Sequence, residues 1–116
     1  MAINIGMVTF DTTDARALAA WWAEALETQI VYDGDGFFVM VAAGEGLSLG
    51  FQKVTDPTPG KNRLHLDMSA PNRDAQVERL KSLGAKFVAA HQMGPLDWVV
   101  LEDPDGNQFC LAAPEK

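Results

Sequence analysis

The feature that most constrains this chain of 116 residues is that its pattern of elements runs twice. In the first pass, residues 3–10 read as a strand, with Ile5, Met7 and Thr9 on one face and Gly6, Val8 and Phe10 on the other. Residues 11–14 offer helix caps, and behind them Leu18, Trp21, Trp22, Ala25 and Leu26 recur at helical spacing. Strands are predicted over residues 29–32, 37–41 and 47–54, divided by the turn-forming runs Asp33-Gly34-Asp35-Gly36 and Ala43-Gly44-Glu45-Gly46. The second pass has a strand over 63–69 and a helix capped by Asn72, apolar at Val77, Leu80 and Leu83 and ended by Gly84. A strand over 86–90 and a final hairpin complete it. The two passes match at an offset of about 57 residues.

A single β-α-β-β-β unit covers one face of its small sheet with a helix and leaves the other bare. Two such units side by side can curve their bare faces into a trough. The expected fold is therefore α+β: two tandem β-α-β-β-β modules forming a curved sheet around a cleft, with the helices outside. The expected organisation is one domain, with the first module over about 1–55, a Pro- and Gly-containing connector at 56–62 and the second module over about 63–116. In the final hairpin, Pro104 presets φ at the first corner of a type I turn and Gly106 takes positive φ cheaply, which predicts a three-residue loop closed by a glycine bulge. On its return strand Gln108, Cys110 and Ala112 share one face, opposite Phe109 and Leu111.

A formal charge of −7, with lysines and arginines scattered rather than striped, argues against a nucleic-acid partner, because phosphates would be repelled. No apolar run is long enough to span a bilayer and the N-terminus lacks the pattern of a signal peptide, so no membrane partner is expected. A single cysteine forms no internal disulfide, which makes a reducing cytoplasm the expected location.

Three local runs carry a family resemblance. Phe51-Gln52-Lys53-Val54 followed by Gly60-Lys61-Asn62-Arg63-Leu64-His65-Leu66-Asp67, then Leu83-Gly84-Ala85, then Asp103-Pro104-Asp105-Gly106-Asn107 resemble, in order and spacing, the vicinal oxygen chelate superfamily. That superfamily includes glyoxalase I, bleomycin-resistance proteins and extradiol dioxygenases, and the match is to its glyoxalase-like branch. One departure is Glu27, which stands where the family usually places a helix-ending glycine. A left-handed conformation there would cost about 1–2 kcal/mol.

The resemblance implies a metal site of His, Glu, His and Glu on the trough floor, and the matching positions here are Met7, Gln52, His65 and Cys110. Only His65 keeps a ligand type. A divalent ion that chelates two substrate oxygens needs hard or borderline ligands and leans on carboxylates for charge. No metal cofactor is therefore expected, and neither glyoxalase I activity nor extradiol ring cleavage. Met7, His65 and Cys110 form a soft set that would suit copper(I), but Met and Cys more commonly line an apolar trough.

His65 and Asp67 alternate onto one face of their strand and form the candidate acid/base or ligand-anchoring pair. Gln52 adds a hydrogen-bonding group. Trp98, Phe38, Met40, Tyr32 and Met93 are candidate pocket walls, whereas Trp21 and Trp22 fit the core or a subunit interface. His91 reads as a surface residue, and Cys110 as an inert buried thiol. The leading expectation is a metal-free protein that binds a small molecule in its cleft, as bleomycin-resistance proteins do, assembled as a homodimer. The alternatives are a metal-independent lyase, isomerase or hydrolase using His65 and Asp67, a metal-dependent glyoxalase or dioxygenase-type enzyme, and a degenerate domain whose role is association with another protein.

Overall fold

The computed structural model describes residues 4–113, so Ile3 of the first predicted strand lies outside the described residues. The chain forms two compact units that divide between Pro59 and Gly60. The first contains β1 (Met7–Thr12), α1 (Ala15–Ala25), β2 (Ile30–Asp33), β3 (Phe38–Ala42) and β4 (Ser48–Lys53). The second contains β5 (Leu66–Ser69), α2 (Arg73–Ser82), β6 (Lys86–Met93), β7 (Leu96–Glu102) and β8 (Gln108–Ala112). The strand orders are β1-β4-β3-β2 and β5-β8-β7-β6, so the duplication read from the sequence is also a duplication of topology. In each unit the first strand pairs parallel with the last, and the remaining pairs are antiparallel.

In the first unit, Leu18, Ala19 and Trp22 of α1 are buried with Val39, Val41, Leu49 and Phe51 of the sheet. Phe10 stacks on Phe51 at 5.0 Å and meets Trp22 at 5.6 Å. Side chains alternate along the strands, so Met7, Thr9, Phe38, Met40, Gly50 and Gln52 belong to the face turned away from α1. In the second unit, Val77 and Leu80 of α2 are buried, as are Val99, Leu101, Phe109 and Leu111 of the sheet. Asp67, Trp98 and Cys110 take the other face.

Both helices end in the same way. Thr28 N–H donates to Ala23 C=O at 2.8 Å and Glu27 N–H to Glu24 C=O at 3.1 Å. At the second helix Ala85 N–H donates to Leu80 C=O and Gly84 N–H to Lys81 C=O, each at 3.0 Å. These are two Schellman motifs, with Gly84 at φ 108° and Glu27 at φ 55° in equivalent places. The left-handed conformation considered for Glu27 is the one it adopts. The final hairpin also follows its turn chemistry. Asp103 N–H donates to Asn107 C=O and Gly106 N–H to Asp103 C=O, both at 2.9 Å, with Gly106 at φ 86°.

Four expectations are corrected. The first strand starts at Met7 and extends to Thr12 rather than stopping at Phe10. The strand predicted from Arg63 starts only at Leu66, because the Asn62 side chain takes the ladder position beside Gln108. Asn72 is the N-cap residue of α2 by position, but its side chain makes no capping bond. The strand predicted to end at Ala90 continues to Met93, so His91 belongs to a regular edge strand. Among the described residues, no helix is long and apolar enough to cross a membrane.

Candidate functional site

The second unit brings three chemically active side chains together. Asp67 of β5 and Cys110 of β8 are register partners in the parallel pair, and His65 stands two residues before Asp67. His65 Nε2 lies 3.3 Å from Asp67 Oδ1. Donor atoms of His65, Asp67 and Cys110 all fall within 4.8 Å of one another. His65 and Asp67 are exposed, whereas Cys110 is buried. That burial, reinforced by a hydrogen bond to Asp67 and its negative charge, pushes the Cys110 thiol pKa up, which favours the neutral thiol. Cys110 is therefore a poor nucleophile in the free protein.

The placement of His65 depends on Asn62, which lies in the connector and in the Gly60–Asp67 run that carries the resemblance. Asn62 Oδ1 accepts from Gln108 N–H at 2.8 Å, and Asn62 Nδ2 donates to Gln108 C=O at 3.0 Å and to Leu64 C=O. One side-chain amide thus imitates a strand at the start of β8 and fixes the segment leading into His65. The local signal for it was the Gly60-Lys61-Asn62 run, where a side chain that hydrogen-bonds backbone is common.

Trp98 of β7 pairs with Ala112 on one side and with His91 on the other, and the His91 ring stacks on Trp98 at 5.3 Å. His91 is exposed, as read, but it extends an aromatic platform rather than standing alone. Met93, read as a pocket wall, is 68% exposed near the end of β6.

In the first unit, Met7, Phe38, Met40 and Gln52 share the face away from α1. Phe38 pairs with Gln52, and Met40 with Gly50. A Cβ added at Gly50 would stand 2.9 Å from Phe38 Cζ, 3.0 Å from Met7 Sδ and 3.0 Å from Thr9 Oγ1. The absence of a side chain at Gly50 therefore lets Phe38 and Met7 close over the sheet. Tyr32, opposite Met40, is 54% exposed at the edge. Trp22 is core, and Trp21 packs edge-on against it at 5.2 Å.

A concavity of about 270 Å³, not foreseen from the sequence, lies at the start of α1 between Thr13, Asp14, Ala15, Arg16, Asp35, Gly36 and Lys53. Its cations are engaged: Arg16 binds Asp33 at 2.8 Å, and Lys53 sits 5.5 Å above the Phe37 ring.

A family model described as a glyoxalase-like domain matches residues 7–112. Among solved structures, a glyoxalase/bleomycin resistance protein/dioxygenase family enzyme from Burkholderia phytofirmans has a TM-score of 0.80 at 18% identity, covering 96% of this chain and 98% of that one. TnmS3, an antibiotic binding protein from Streptomyces sp. CB03234, has a TM-score of 0.75 at 22% identity, with 99% of both chains covered. A lactoylglutathione lyase from Agrobacterium tumefaciens has a TM-score of 0.73 at 16% identity, covering 95% of this chain and 92% of that one. At these identities the likeness is one of fold. No protein of curated function matches the sequence.

Proposed function

The chain belongs to the glyoxalase-like domain family, and from that membership we propose that it binds a small organic molecule against the sheet faces turned away from its helices. The observation that carries this reading is the donor chemistry at the four positions where relatives hold a divalent ion. Met7 offers a soft thioether and Gln52 an amide without charge, so with no carboxylate at any of the four positions the family's chelate is not part of the proposal. Residues of the same sheet faces suit an organic ligand. Met7, Phe38, Met40 and Trp98 supply apolar and aromatic surface, while Gln52, His65 and Asp67 supply hydrogen bonds. The antibiotic-binding relative of the same fold supports a binding role.

The test is mass spectrometry of protein purified under native conditions and then treated with a chelator. An organic mass that survives chelation and is released on unfolding is expected. Tightly held nickel or iron that is lost in Gln52→Ala and supports lactoylglutathione formation would overturn the reading.

The 3.3 Å contact between His65 and Asp67 favours a second reading, a metal-independent lyase or isomerase. Asp67 would orient the imidazole, and His65 would move the proton. Under that reading, His65→Ala abolishes turnover of the retained molecule while the fold stays intact. The proposal further includes self-association as a homodimer in the cytoplasm. Ile30, Val31 and Tyr32, exposed on edge strand β2, are the apolar surface that supports it, and light scattering of the purified protein measures it.

A further inference from the structure

Among the described residues, each sheet ends in two edge strands: β1 and β2 in the first unit, β5 and β6 in the second. An edge presents backbone N–H and C=O groups to any strand that approaches, and proteins guard it with short length, charge or a bulge. β1 carries Asp11, while β2 and β5 have four residues each and carry Asp33 and Asp67. β6 is different. It runs for eight residues, contains no Asp, Glu or Pro, and is exposed at every position except the half-buried Ala89. Its bulge lies near one end, between Phe87 and Ala89, and residues 89–93 pair regularly with residues 96–100. A chain of formal charge −7 repels its own copies, and β6 is the edge strand that adds no carboxylate to that repulsion.

We propose that β6 pairs antiparallel with β6 of a second copy of this chain, joining two four-stranded sheets into one of eight strands. Symmetry limits the register. A twofold axis between antiparallel strands stands normal to the sheet and keeps every side chain on its own face. Because faces alternate along a strand, the axis must pass beside one residue that meets itself, not between two neighbours. The regular stretch 89–93 has His91 at its middle. His91 therefore meets His91 of the second copy, Ala90 meets Gln92, and Ala89 meets Met93. Lys86, the one formally charged residue of the strand, falls outside the paired stretch, and Met93, 68% exposed in the single chain, gains an apolar neighbour. Each His91 ring lies against Trp98 at 5.3 Å, so the pairing draws both such pairs into one row across the face turned away from α2. The inference rests on the self-association reading and deepens it by naming a strand-to-strand contact beside the exposed residues of β2.

The experiment places cysteines in the full chain, whose own Cys110 is buried. Directly opposed residues of an antiparallel pair stand about 4.5–5.5 Å apart at Cα, within the reach of a disulfide. His91→Cys is therefore expected to cross-link into a dimer under mild oxidation. Ala90→Cys and Gln92→Cys, each about 8 Å from its own copy in this register, are expected to stay uncross-linked. His91→Lys sets two ammonium groups opposite one another and raises the dissociation constant, read by light scattering on dilution, about fivefold or more. Val31→Lys, on β2, leaves the His91→Cys cross-link in place. Circular dichroism establishes that each variant is folded. A parent that stays monomeric up to millimolar concentration overturns this inference together with the self-association reading. An associated parent in which His91→Cys does not cross-link, or in which Ala90→Cys cross-links in its place, overturns this inference alone. So does exchange protection of the β6 amides that arises only when a foreign extended peptide is added.

Discussion

Replacing Glu27 with glycine should stabilise this protein, against the usual direction of glycine substitutions. Glu27 sits at φ 55° in a Schellman motif that the second helix closes with Gly84 at φ 108°. A residue with a Cβ in the left-handed region costs about 1–2 kcal/mol. Glycine at the same place gives back about 0.5–1 kcal/mol because its unfolded chain is freer. Removing a negative charge from a helix C-terminus adds about a few tenths of a kcal/mol. The net expectation is a gain of about 0.5–1 kcal/mol, or about 2–5 °C in Tm for a chain of this size. Urea unfolding of the parent, Glu27→Gly and Glu27→Gln measures it. The glutamine variant removes the charge but keeps the Cβ, so it should recover only the small electrostatic part. Gly84→Ala should move the other way, losing about 1–2 kcal/mol. If Glu27→Gly is no more stable than Glu27→Gln, the strain assigned to this position is not there.

Asn62→Ala removes the bonds to Leu64 and Gln108 and leaves the backbone groups of Gln108 that Asn62 satisfied without their partner; urea unfolding should show a loss of about 1–3 kcal/mol, and hydrogen exchange at the Gln108 amide should accelerate. Gly50→Ala forces Phe38 and Met7 outward from contacts of 2.9–3.0 Å, costing about 1–3 kcal/mol by thermal melt and loosening any retained organic molecule in mass spectrometry. The Arg16 guanidinium, with help from the Gly36 N–H, holds the Asp33 carboxyl below its ordinary range. A depressed carboxyl pKa contributes stability above the unfolded value of 3.8, and that contribution is lost as pH falls through the folded value. An NMR titration of Arg16→Gln should therefore find the Asp33 midpoint moved upward, though still short of the ordinary value because the Gly36 contact remains.

Much of the architecture is legible in the sequence because it is written in local chemistry. The order Asp103-Pro104-Asp105-Gly106-Asn107 sets its own turn, and Leu83-Gly84-Ala85 sets its own helix end. The buried positions Leu18, Trp22, Val77 and Leu80 follow a period that depends only on helix geometry. The sequence marks β6 only as far as Ala90, because its side chains are almost all exposed and no apolar alternation marks residues 91–93.

The sequence by itself determined two repeats of one order of elements and the two-residue spacing of His65 and Asp67, because each depends on residues a few positions apart. The resemblance already sets Cys110 with His65; only the tertiary structure decided that Asp67 is the register partner of Cys110 and that Asn62 stands in for a strand at Gln108. Both depend on the parallel pairing of β5 with β8, whose register is set across a long crossover through α2, β6 and β7. Nothing in the spacing of residues 62, 67, 108 and 110 announces that register, since a shift by one residue would have turned Cys110 to the opposite face.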